Sequence, residues 1–140
     1  MTDDTDETRR ARAKRTLAEY HGPFGEQVIA RLADVAPDFA DQLVDYAFGD
    51  VYSRPGLDRR AREIATLAGL AALGNAEPQL KWHIRGALNI GITRTEVIEI
   101  LSQMAIYGGF PAGVRALMAA KEVFDEIDEF ATELARQDDA

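Results

Sequence analysis

Cysteine is absent from this chain. Its absence excludes disulfides, thiolate metal sites and any thiol redox cycle. Histidine is nearly absent too, and only His21 and His83 are present. Proton transfer near neutral pH therefore has few carriers. Positive charge is in the minority. Sixteen Lys and Arg stand against 24 Asp and Glu, a formal net charge of −8. An acidic chain repels phosphate backbones at long range, so no nucleic-acid partner is expected. Long apolar runs are missing: Gly, Lys or Glu breaks each one well before the ~20 residues of a membrane span. No membrane association is expected. The opening Met1-Thr-Asp-Asp-Thr-Asp-Glu7 is acidic, where a secretory leader would be basic and then apolar. No export signal is expected, and the cytoplasm is the expected location.

Several chemical signatures are lacking as well. Tyr107-Gly-Gly-Phe110 has neither the lysine nor the preceding strand of a phosphate loop. No serine stands in a nucleophile elbow. The two histidines do not combine with carboxylates at a recognisable metal spacing, so no metal site is expected.

What remains is a helical pattern. At 140 residues with 46% hydrophobic content, one domain can bury a real core. No sustained two-residue alternation marks a strand. Residues 5–20 read as a charged amphipathic helix. Its Arg9, Arg10, Arg12, Lys14 and Arg15 follow Asp3, Asp4, Asp6 and Glu7, a salt-bridged pattern. Phe24, Val28, Leu32 and Val35 continue as a stripe to Pro37. A helix from about Phe39 to Tyr52 precedes the turn Ser53-Arg54-Pro55-Gly56. Asp58 can cap a helix ending at Gly74. Pro78 suits the first turn of the next, which Gly91 ends. Thr93-Arg94-Thr95-Glu96 is a capping box. Gly108-Gly109 ends that helix, and Pro111 opens a last one to about Leu134. Gly69, Gly86 and Gly113 fall inside helices, where close helix approach would explain them. The expected fold is a compact all-α bundle of six or seven helices. Residues 1–36 are expected as a charged helical extension packed on a domain of residues 37–135, with 136–140 as a frayed tail.

Three helices carry chemistry-bearing residues at the edge of an apolar face. Glu63 shares its face with Leu67 and Leu70. A carboxylate there is paired or perturbed, as at active sites, or it simply pairs with Arg59, Arg60 or Arg62. His83 lies on the stripe of Leu80, Ile84, Ala87 and Leu88. It is either a proton carrier or a core histidine bonded to a carbonyl. Arg85 lies about 200° round the same helix from His83 and so points elsewhere, toward a neighbouring subunit or a pocket rim. Tyr107 is a candidate hydrogen-bond donor at a pocket, or a core tyrosine. Trp82 is a packing or interface anchor, or a ligand platform.

From about Phe48 to Phe124 the chain resembles the carboxymuconolactone decarboxylase family. The stretches are Phe48-Gly-Asp-Val-Tyr-Ser-Arg-Pro-Gly-Leu57, Arg62-Glu63 with the Ala/Leu-rich helix after it, and His83-Ile-Arg-Gly-Ala-Leu-Asn-Ile-Gly-Ile-Thr93. Glu96-Val-Ile-Glu-Ile-Leu101 and Tyr107-Gly-Gly-Phe-Pro-Ala112 complete them. The resemblance implies an alkylhydroperoxidase D-like all-helical fold, assembled as a homo-trimer or homo-hexamer with pockets near subunit contacts. One branch of that family carries Cys-x-x-Cys-x-x-x-His. With its histidine laid on His83, its cysteines fall on Ala76 and Gln79, so peroxidase chemistry is excluded. That branch's relay glutamate corresponds to Glu63.

The other branch decarboxylates a 4-carboxymuconolactone in aromatic catabolism. The chain is similar to it in the His-Ile-Arg-Gly-Ala-Leu-Asn run. It departs at Tyr107-Gly-Gly-Phe-Pro-Ala-Gly113, where those decarboxylases read Tyr-Cys-Gly-Val-Pro-Ala-Ala-Asn. The resemblance thus implies a cofactor-free carboxy-lyase acting on a small carboxylate. His83 and Glu63 would transfer protons, with Arg85, Arg62, Tyr107 and Trp82 as substrate contacts. A related lactone hydrolase or isomerase, or a non-catalytic helical oligomer, are the alternatives.

Overall fold

The computed structural model describes residues 7–139, and no strand occurs among them. Six α-helices follow one another: α1 Arg9–Ala33, α2 Pro37–Val44, α3 Arg59–Leu73, α4 Glu77–Asn89, α5 Arg94–Gly108 and α6 Phe110–Asp138. Between α2 and α3 the segment Asp45–Val51 is π-helical. The all-α expectation holds. Contacts divide the chain into two units, Met1–Arg62 and Glu63–Ala140.

In the first unit α1 spans what the sequence reads as two helical stretches. They meet at Gly22, whose φ of 58° and ψ of −155° suit glycine alone, and Pro23 restarts the helix. Ala13, Leu17 and Tyr20 of α1 bury against Ala40, Val44 and Phe48. Arg10 reaches Asp41 at 2.9 Å and Asp45 at 2.8 Å. Arg9 forks onto Asp50, Nε to Oδ1 at 2.9 Å, and that bond holds the Asp50 carboxyl below its ordinary value.

The π-helical turn is the departure from the expected α-helix over 39–52. The Tyr52 amide donates to the Ala47 carbonyl at 2.7 Å, the wide i→i+5 step. Long-range partners stabilise it. Arg12 Nε donates to the Gly49 carbonyl at 2.7 Å, and Ser53 Oγ donates to the same oxygen at 2.6 Å. A Cβ at Gly49 would sit 3.1 Å from Ala13 Cβ, so glycine lets this turn lie against α1. The turn brings Phe48 edge-on to the buried His21, ring centroids 5.7 Å apart.

The second unit packs α3 from Glu63 onward with α4, α5 and α6. Leu67, Leu80, Ile84, Val97, Leu101 and Val123 form its buried core with small alanines between them. Each large side chain buried there contributes about 1.5–3 kcal/mol. The caps follow the sequence. Asp58 Oδ1 accepts from the Ala61 amide at 2.7 Å at the start of α3. The Thr93–Glu96 capping box is present, with bonds of 3.1 and 2.8 Å. The last helix continues to Asp138, beyond the expected end near Leu134.

The glycines inside helices divide. A Cβ at Gly113 would sit 2.8 Å from Ala105 Cβ, so α5 and α6 touch there through the missing side chain. Gly69 faces open space, so close approach does not explain it. Gly113→Ala is expected to destabilise by about 1–3 kcal/mol through overpacking. Gly69→Ala should stabilise by up to about 1 kcal/mol through helix propensity. Urea midpoints of the two variants check both signs.

Candidate active site

Helical spacing brings Glu63 to the inward side of α3, one turn before Leu67. It opens the second unit and is fully buried. α4 carries His83, whose side chain is 13% exposed. Glu63 Oε1 lies 3.4 Å from His83 Nδ1. That is the long end of a hydrogen bond, as catalytic pairs often are before a ligand tightens them. With Glu63 ionised, Nδ1–H donates to it. The ring orientation is then set through Nδ1.

The second carboxyl oxygen, Glu63 Oε2, is buried and has no hydrogen-bond partner among the described residues. A core does not carry such a group for stability. Leaving a buried polar atom unsatisfied costs about 1–3 kcal/mol. Glu63 and His83 therefore form a close carboxylate–imidazole pair held in a poorly solvated place. A carboxylate so placed can fix the tautomer and orientation of an imidazole ring.

The other candidate residues lie differently. The Trp82 ring meets His83 edge-on, centroids 5.0 Å apart at 67°. Arg62, the last residue of the first unit, donates from Nη2 to the Arg54 carbonyl at 3.0 Å. Arg85 pairs with Glu126 of α6, on the side of α4 away from His83. Tyr107 is 75% exposed at the end of α5. It belongs to an apolar strip with Ile106 and Phe110, also exposed. Beside that strip α5 and α6 form a groove of about 290 Å³, lined by Ser102, Ala105, Phe110 and Leu117 among others. The geometry thus joins His83, Glu63 and Trp82, and does not bring Arg85 or Tyr107 to the pair.

Sequence reasoning missed Lys81, Glu122 and Glu126. Lys81 pairs with Glu122 one turn before the Arg85–Glu126 pair, and with Glu77 at 3.5 Å. Glu122 holds the Lys81 ammonium above its ordinary value. The signal was available: Lys81 and Arg85 are four apart, as are Glu122 and Glu126. Nothing local says that the two rows face each other.

A buried Glu–His pair on consecutive helices, in an all-α chain without cysteine, is the defining feature of the candidate site. The chain belongs to the carboxymuconolactone decarboxylase family, whose model matches residues 37–122. It is 38% identical over 108 residues to the 4-carboxymuconolactone decarboxylase of Acinetobacter baylyi, covering 74% of this chain and 80% of that protein. It is 36% identical over 96 residues to a 15.0 kDa protein from the nqo9-nqo10 intergenic region of Paracoccus denitrificans, covering 68% and 72%. It is 35% identical over 85 residues to the nitrosuccinic acid decarboxylase of Metarhizium robertsii, covering 61% and 59%. Among the described residues no helix is long and apolar enough to cross a membrane.

Proposed function

We propose that the chain is a cofactor-free carboxy-lyase acting on a carboxylated lactone of the 4-carboxymuconolactone type, in aromatic catabolism. The observation that carries this reading is the buried Glu63 with one oxygen 3.4 Å from His83 Nδ1. Two decarboxylase-named relatives support it. Both names describe a carboxylic acid that also bears an electron sink, a lactone carbonyl in one and a nitro group in the other.

The chemistry follows from that sink. The bond to the carboxylate carbon breaks and CO₂ leaves. The electron pair passes into the conjugated lactone carbonyl as an enolate. His83, as imidazolium, gives its Nε2 proton to carbon, and one proton from solvent restores it. Glu63 orients the ring through Nδ1 and stabilises the imidazolium. Because the lactone accepts the electrons, the step requires no metal or organic cofactor. The substrate carboxylate calls for a planar cationic fork, a role for Arg62, because Arg85 is engaged by Glu126 on the side of α4 away from His83. Tyr107, being exposed, would serve the enolate from a partner chain in a homo-trimer or homo-hexamer. Trp82 would wall the site beside His83. The cytoplasm is the compartment proposed, with no nucleic acid or membrane as partner.

The test is product analysis with 4-carboxymuconolactone. One CO₂ per lactone consumed, with an enol-lactone product, is the expected result. Ring opening or isomerisation without CO₂ would replace the decarboxylase reading by a hydrolase or isomerase.

A further inference from the structure

Two ion pairs tie α4 to α6 in successive turns. Lys81 meets Glu122 and Arg85 meets Glu126. Both rows have a spacing of four residues, so the pairs form a ladder along one side of α4. His83 lies midway between Lys81 and Arg85 in sequence, and two residues are about 200° of helix rotation. The ladder therefore grips α4 on the side opposite the one that presents His83 to Glu63.

The buried side of α4 is the one that carries His83, and part of it interlocks weakly: Gly86 and Ala87 have little side chain to set against a neighbour, next to Leu80 and Ile84. A roll of α4 by about 10° would move a ring about 6 Å from the helix axis by about 1 Å. That displacement would break a contact already at 3.4 Å. Misplacements of about 1 Å can cost up to 10²-fold in rate.

We infer that the Lys81–Glu122 and Arg85–Glu126 ladder is a positioning device. It sets the roll of α4 and so holds His83 Nδ1 on Glu63. The inference rests on the reading of Glu63 and His83 as the reacting pair. Lys81, Arg85, Glu122 and Glu126 are positioning residues in it and touch no substrate.

The test uses the full-length Lys81→Gln/Arg85→Gln double variant. Its kcat should fall about tenfold with KM within about twofold of wild type. The charge-reversed variant Arg85→Glu/Glu126→Arg, with Lys81 and Glu122 left in place, should recover most of that loss. A second readout needs no turnover: the ¹⁵N shifts of His83, one of only two histidines, report which ring nitrogen carries the proton. Wild type should show Nδ1–H, and the double variant should shift toward Nε2–H, the form free imidazole side chains prefer in water. An unchanged tautomer and unchanged kcat in the double variant would overturn the inference. So would a loss of rate carried by KM with no recovery on charge reversal. A shifted tautomer in a protein that never released CO₂ would keep the ladder and discard the decarboxylase.

Discussion

His83→Gln is expected to lower the rate of CO₂ release by about 10³-fold while the far-ultraviolet circular dichroism stays unchanged. Glutamine matches the size of the imidazole and can still donate an amide N–H toward Glu63. It cannot carry a proton to carbon. The side chain it replaces is 13% exposed and lies on the edge of the core, so the fold loses little. Glu63→Gln should cost less, about 10²-fold, because the amide carbonyl still orients Nδ1–H but no longer balances an imidazolium. The two residues act as one unit, so the double variant should be no slower than His83→Gln alone. A wild-type rate in His83→Gln would remove the proton-donor assignment outright. Additive losses in the double variant would show that the two groups work separately.

The features legible in the sequence are those that short-range chemistry decides. Thr93 and Glu96 satisfy each other's amides within one turn, so the capping box reads directly from four letters. Asp58 and Pro78 act within the first turn of their helices and read equally well. Glu63 and His83 were legible as candidates because helical spacing puts each at the border of an apolar stripe. Their meeting was not legible from spacing, since it depends on how α3 and α4 pack.

What escaped depends on residues far apart. The π-helical turn at Asp45–Val51 exists because Arg12 and Gly49, 37 positions apart, come together. Without that partner the same letters read as an α-helix. Arg85 shows the same limit. Its position round the helix said it points away from His83. That it meets Glu126, 41 residues on, follows only from the packing of α4 on α6. Gly69 misled in the other direction, because a glycine inside a helix invites a packing explanation that the open space around it removes.

Glu63→Met is expected to raise stability by about 1–3 kcal/mol while abolishing turnover. Methionine is close to glutamate in volume and adapts its shape to the space the carboxyl leaves. It removes a fully buried carboxyl group, and with it an oxygen, Oε2, that finds no hydrogen-bond partner among the described residues. His83 is left without its carboxylate, but imidazole can remain neutral, so no uncompensated charge is forced into the core. For a chain of this size the gain corresponds to a rise in Tm of about 3–10 °C. Glu63→Ala is the control, since it removes the same carboxyl but leaves a hole and should lose about 2 kcal/mol or more relative to Glu63→Met. Thermal melts of the two variants separate the terms. A Glu63→Met protein that melts well below wild type would mean the carboxylate is a structural anchor. A more stable and inactive one means the fold tolerates a destabilising group at this position, and the only gain available to offset it is the proton that Glu63 helps His83 to move.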